Sequence, residues 1–180
     1  MREAQGLAAA AMTGGACLVV GNALLLADPD ARGLASGADY PPVAVVVAGA
    51  LLVSAGLIGV HSGQRAAYGR LGLVAFVLTL VAQLATAGYL ATGNEAPILV
   101  ALVASVIGFP LLTIAIVRAP ALPRWTGYVA FIAVVGMLIV GDADLGIAAA
   151  GLVWLAIGYE LWTLEPGVRA YRGATSTQST

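Results

Sequence analysis

Apolar residues form six long blocks along the chain, and shorter polar segments separate them. A helix rises 1.5 Å per residue, so about 20 apolar residues cross the hydrocarbon core of a bilayer, and fewer suffice for a helix that runs straight. The blocks lack the period-2 alternation of barrel strands, and a helix satisfies its own backbone hydrogen bonds in lipid. The pattern predicts an all-α bundle of six transmembrane helices, covering residues 7–27, 43–60, 71–91, 96–117, 125–140 and 145–164.

Prolines and polar residues mark the borders of these blocks. Pro41, Pro42 and Pro97 stand where the second and fourth helices begin, and proline suits the first turn of a helix. Pro166 ends the last block. We therefore expect one domain over residues 1–172, followed at 173–180 by a small, polar tail that is predicted to be disordered in the cytoplasm.

The arginines predict the orientation of the chain, because cytoplasmic loops carry an excess of basic residues. If both termini are cytoplasmic, every arginine except Arg32 falls on the cytoplasmic side. The connections at 62–70 and 118–124 are then cytoplasmic, and those at 28–42, 92–96 and 141–144 face outside. The basic residues on the inner side are Arg2, Arg65, Arg70, Arg118, Arg124, Arg169 and Arg172.

Composition agrees with a membrane location and argues against several kinds of partner and site. The 180 residues are 61% hydrophobic and 9% charged, whereas soluble domains carry about 25% charged residues. A net charge of −1 argues against a nucleic-acid partner. Cys17 is the only cysteine, so no intramolecular disulfide or multi-cysteine metal site can form.

The sequence also argues against catalysis. It contains no lysine, which excludes a Schiff base to retinal or pyridoxal phosphate. It lacks the motifs of serine hydrolases, zinc proteases and P-loop nucleotidases. We therefore expect a protein that is not an enzyme, with no catalytic, cofactor-binding or metal-binding residues.

Glu160 and His61 are the titratable candidates for a functional role. Glu160 is the only charged residue inside a predicted span, about one turn from its cytoplasmic end. It either marks a proton or ion pathway or lies at the interface, within reach of headgroups, His61 or Arg118. His61 ends the second predicted helix and either relays protons or interacts with the helix dipole.

Gln83, Asn22 and Pro110 are the remaining polar or helix-breaking candidates. Gln83 shares one face of the third helix with Thr79 and Thr86, so this face either lines a polar cavity or bonds a neighbouring helix, with Asn22 as a partner. Pro110 predicts a kink, which either serves a binding site of the transporter type or has no special role.

Small residues provide faces for close helix packing. Ala55, Gly59 and Gly63 form one such face on the second helix, and Ala11 with Gly15 forms another on the first. These faces serve either the interior of the bundle or an interface with a membrane-protein partner or a second copy of the chain.

Three stretches carry a family resemblance: G-L-I-G-V-H-S-G-Q-R-A-A-Y-G-R-L-G-L-V-A-F at 56–76, A-P-A-L-P-R-W-T-G at 119–127 and G-L-V-W-L-A-I-G-Y-E-L-W at 151–162. The chain resembles a loose group of small, uncharacterised six-helix membrane proteins of actinobacteria and other GC-rich prokaryotes. The resemblance spans helices two to six and implies the same topology, with no activity attached. Glu160 departs from the apolar residue expected in that segment.

Two functions are consistent with these patterns. The first is a non-enzymatic accessory, assembly or scaffold component of a membrane complex, in the cytoplasmic membrane of a prokaryote. The alternative is a carrier or channel for a small solute or ion, built from one or several copies, with Gln83, Pro110 and Glu160 along the path.

Overall fold

The computed structural model describes residues 2–27, 41–119, 122–140 and 143–163, and these ranges are helical apart from short connections. Helix α1 is Arg2–Ala27. A second helical segment, Pro41–Thr92, is interrupted at Gly69, where φ is 58° and ψ is −147°, so it comprises α2 (41–68) and α3 (70–92). The remaining helices are α4 (Ala96–Arg118), α5 (Arg124–Val140) and α6 (Ala143–Thr163). The prediction of an all-α chain with six helices is confirmed for the described residues. The tail at 173–180 and most of the 28–42 connection lie outside them.

Among the described residues, four apolar helical stretches are long enough to cross a membrane by length and composition: Gln5–Ala27, Pro41–Arg65, Ala67–Thr92 and Ala96–Arg118. The sequence predicts six spans, so two of them, those in α5 and α6, do not reach this length among the described residues. Helix α5 has only 17 residues, and the described apolar part of α6, Ile147–Thr163, is also shorter.

Helix α2 extends beyond residue 60, where the sequence placed the end of the second span. The reason is a buried stripe that continues through the polar segment: Val53, Leu57, Val60, Gln64 and Tyr68 recur at helical spacing, and all five are buried. Most of the residues assigned to a cytoplasmic loop at 62–70 are therefore helical, and the chain reverses within a single residue, Gly69.

Helix α1 lies between α2 and α6 and packs against both. It packs against α2 in antiparallel fashion, since Gly21 lies beside Val46, Ala11 beside Gly56 and Leu7 beside Gly59. Its packing against α6 is also antiparallel, because Gly15 lies beside Gly151 and Met12 beside Gly158. The core is built mainly from the inward faces of these three helices.

Helices α3, α4 and α5 extend the bundle from α2. Gly108 of α4 lies against Thr79 of α3, and Gly127 of α5 lies against Thr113 of α4. Thr113 also donates a hydrogen bond of 3.1 Å from Oγ1 to the Gly127 carbonyl oxygen. Helix α5 in turn packs on α6. From α3 onward, each helix therefore contacts the helix that follows it in the chain.

This antiparallel arrangement gathers the arginine-bearing turns at one end of the bundle. The end of α2 lies beside the start of α1, and the end of α6 does the same. Tyr68, at the end of α2, packs with Ala115 and Ala119, at the end of α4. We call this end the basic end, and its exposed arginines are Arg65, Arg70, Arg118 and Arg124.

Candidate functional site

The α2–α3 turn holds a compact aromatic cluster, formed by His61, Tyr68 and Phe76. The Nδ1 atom of His61 lies 2.5 Å from the hydroxyl oxygen of Tyr68, which donates the hydrogen bond when Nδ1 carries no proton. The imidazole stacks on the Phe76 ring with 4.2 Å between centroids and 23° between planes. His61 is therefore held by two neighbours, one on its own helix and one on α3.

Two glycines make this cluster sterically feasible. Gly69 adopts a positive φ that side chains rarely tolerate, which lets α3 fold back along α2. Gly72 lies directly under the Tyr68 ring, and a Cβ there would be 1.7 Å from Cδ2 of that ring. Tyr68 can occupy its position only because residue 72 has no side chain.

Gln64 lies on the same helical face, between His61 and Tyr68 in sequence. Its side chain is 1% exposed, and neither Oε1 nor Nε2 has a hydrogen-bond partner. Leaving a buried amide unpaired costs about 1–3 kcal/mol, so such a group calls for an explanation. The structure thus places an unsatisfied polar group inside the basic end of the bundle.

The structure does not join Asn22 to Gln83. Asn22 is buried in α1, and its Oδ1 has no hydrogen-bond partner, while Gln83 is half-buried in α3. The two threonines beside Gln83 bond their own helix: Thr79 donates to the Ala75 carbonyl and Thr86 to the Ala82 carbonyl. These threonine hydroxyls are satisfied locally and link no helices.

Glu160 is half-buried near the end of α6, at the basic end. Within the described part of the chain, its carboxylate forms no ion pair. Of the two partners that the sequence suggests, His61 is hydrogen-bonded to Tyr68, and Arg118 is exposed and unpaired with Glu160. Glu160 thus lies within one turn of the last residue of α6 and forms no ion pair with His61 or Arg118.

Pro110 lies within α4, and the helix continues on both sides of it. The predicted kink remains a prediction. Two residues earlier, Gly108 brings α4 close to α3, since a Cβ on Gly108 would lie 2.9 Å from the Thr79 amide nitrogen. The segment around Pro110 is thus part of the α3–α4 contact.

Sequence reasoning missed Gln64 and Tyr68, because it ended the second helix at residue 60. The missing signal was the spacing of Gln64 and Tyr68, which continue the apolar stripe of α2 by one and two further turns. Among the described residues, no group of three or more histidine, cysteine, aspartate or glutamate side chains could hold a metal ion.

Comparison of the chain with protein-family models, with curated proteins and with solved structures finds no match.

Proposed function

We propose that the chain is a multi-pass protein of a prokaryotic cytoplasmic membrane, and that it serves as a non-enzymatic accessory, assembly or scaffold component of a membrane complex. The observation that carries this proposal is the outer surface. Large apolar side chains are exposed on every helix whose side chains are described, among them Leu99 at 68%, Ile132 at 66% and Leu152 at 60%. A soluble monomer rarely exposes contiguous apolar area on this scale, whereas a bilayer covers it.

The orientation in this proposal has both termini in the cytoplasm. Support comes from the basic end, where the exposed arginines of two connections, 65–70 and 118–124, lie together. The connection between α3 and α4, at the opposite end, carries the exposed acid Glu95 and no arginine. This asymmetry matches the excess of basic residues in cytoplasmic loops.

The proposed partner-binding face is the small-residue stripe of α2. Gly59 is already used inside the bundle, because a Cβ there would lie 2.9 Å from the Leu7 Cβ. Gly63 is exposed and has open space around it, and Ala55 is half-buried. The part of the stripe that remains for a partner helix or a second copy is therefore centred on Gly63.

Two substitutions on this stripe test the proposal. Gly63→Leu should leave the fold intact, because nothing lies within 4 Å of the added Cβ, and should release any co-purified partner or second copy. Gly59→Leu should instead destabilise the monomer. The measurement is native purification from membranes followed by mass determination. Extraction of the wild-type chain by alkaline carbonate, or an unchanged complex in Gly63→Leu, would contradict the proposal.

A carrier for a small solute or ion is the second candidate, and two buried groups without hydrogen-bond partners favour it: the amide of Gln64 and the Oδ1 atom of Asn22. Such groups line paths through transporters, where they bind a passing solute. In this alternative Gln83, Pro110 and Glu160 belong to the same path. Flux into proteoliposomes that falls in Gln64→Leu and in Glu160→Gln, while both variants remain folded, would favour the carrier over the scaffold.

A further inference from the structure

Exposed aromatic and basic side chains lie at the basic end of helices α4, α5 and α6. Arg118 ends α4 and Arg124 begins α5, where Gly127 holds the two helices together. Trp125 and Tyr128 lie in the first turns of α5, and Tyr159 and Trp162 in the last turns of α6, which packs on α5. All six side chains are exposed. We call this surface the basic–aromatic rim: Arg118, Arg124, Trp125, Tyr128, Tyr159 and Trp162.

Among the described residues, the arginines of the rim have no carboxylate partner. Neither Arg118 nor Arg124 pairs with a carboxylate in the part of the chain that the structure describes. Glu160 is the one described acid beside the rim, and it is half-buried. Within the described part of the chain, the rim therefore combines two unpaired arginines with exposed tryptophan and tyrosine side chains.

These two features together fit one ligand chemistry. Tryptophan and tyrosine prefer the headgroup level of a bilayer, with the ring in the apolar layer and the polar atom in the wet one. Arginine binds phosphate oxygens through a planar fork of donors. Side chains of these two kinds at one end of the bundle therefore match the headgroup layer of a bilayer, where phosphate oxygens are available to arginine.

We propose that the basic–aromatic rim is a docking surface for anionic phospholipid headgroups, such as phosphatidylglycerol. This inference rests on the proposed membrane location but is independent of the scaffold role. Charge complementarity selects the anionic lipid, because a zwitterionic headgroup carries its own cation and gains less from an unpaired guanidinium. Arg65 and Arg70 lie at the same end and add to the attraction without belonging to the rim.

The test compares lipids around the full-length protein reconstituted in vesicles of phosphatidylcholine containing spin-labelled phosphatidylglycerol or spin-labelled phosphatidylcholine. Wild-type protein should retain the anionic label preferentially, and rising salt should weaken the preference. The double variant Arg118→Gln/Arg124→Gln should lose most of this preference for the anionic label. Its relative association constant should fall about fivefold for each arginine that binds a headgroup. The matched control Arg118→Lys/Arg124→Lys keeps both positive charges and should keep most of the preference for the anionic label.

Glu160→Gln should have the opposite effect to the arginine variants. It removes a negative charge beside the rim, so retention of the anionic label should increase. Equal retention of both labels by the wild type, or a preference that survives Arg118→Gln/Arg124→Gln, would overturn the inference. Competition by free inorganic phosphate would assign the site to a soluble anion instead and would also overturn it. Thermal denaturation checks that each variant is folded. Failure to reconstitute at all would count against the membrane proposal, whereas reconstitution without lipid preference would count against the rim alone.

Discussion

Gly15 of α1 and Gly151 of α6 face each other backbone to backbone. A Cβ on Gly15 would lie 2.5 Å from the Gly151 carbonyl oxygen, and a Cβ on Gly151 would lie 2.7 Å from the Gly15 carbonyl oxygen. Such an approach is open only to glycine, and it allows the two helices to pack closely. Four positions away, Ala11 faces Gly56 of α2 instead. The small residues of α1 therefore hold it between two partners.

Gly15→Ala should destabilise the bundle by about 1–3 kcal/mol, because the added methyl group meets backbone atoms that cannot move aside without shifting a helix. The measurement is the midpoint of thermal denaturation in detergent. Gly88→Ala is the matched control, since it lies in a helix with nothing within 4 Å of the added Cβ. That control should be neutral or slightly stabilising. Equal effects at both positions would show that the α1–α6 contact is looser than described.

Much of the fold follows from the sequence, because a run of apolar residues as long as a bilayer is thick has few alternatives to a helix. The six apolar blocks correspond to six helices on this ground. Which faces meet does not follow, because a helix that is apolar on all sides carries little periodicity to show its inward side. The sequence therefore placed Ala11 and Gly15 on one face, whereas they contact different helices.

The candidate site was harder to predict for a related reason. Gln64 lies between Gly63 and Arg65 in a polar segment, and such a segment is typical of a loop. Its side chain is nevertheless 1% exposed, and the reversal of the chain at Gly69 that follows it is a tertiary effect. The sequence singles out His61 but not its partner Tyr68, because the two side chains meet only when the helix continues past residue 60.

Gly72→Ala should displace the Tyr68 ring and break its hydrogen bond to His61. The methyl group would lie within the present position of that ring, so the turn must open or the ring must rotate away. Near-ultraviolet circular dichroism should change, and stability should fall by more than in Tyr68→Phe. The phenylalanine variant loses only the hydrogen bond, at about 0.5–1.5 kcal/mol. A Gly72→Ala protein as stable as the wild type would contradict this packing.

Gln64→Leu should stabilise the protein, because the buried amide has no hydrogen-bond partner. Leucine is similar in size and removes the cost of burying an unsatisfied polar group, about 1–3 kcal/mol. The outcome is read from chemical unfolding in mixed micelles. A destabilised Gln64→Leu variant would instead reveal that the amide holds a bound molecule, and would strengthen the carrier alternative.

Thr113→Val should weaken the α4–α5 contact, because Thr113 donates the hydrogen bond to the Gly127 carbonyl oxygen across the two helices. Hydrogen bonds between membrane helices contribute about 0.6 kcal/mol on average and up to about 1.7. Thr86→Val is the matched control, since Thr86 bonds a carbonyl of its own helix. The prediction is that Thr113→Val lowers the unfolding midpoint and Thr86→Val changes it little. A larger effect of Thr86→Val than of Thr113→Val would show that this hydrogen bond does not stabilise the α4–α5 contact.

The proposed orientation predicts which end of the bundle is accessible from which side of the membrane. Ala67 lies at the basic end, Asn94 lies in the connection between α3 and α4 at the other end, and both are exposed. In a protein whose native cysteine is replaced by Cys17→Ala, Ala67→Cys should resist a membrane-impermeant maleimide applied to intact cells, whereas Asn94→Cys should react. Both should react once the membrane is permeabilised, which controls for accessibility. Labelling of position 67 but not of position 94 in intact cells would invert the topology. It would also move the arginines outward, against the basic-residue bias that supports the orientation.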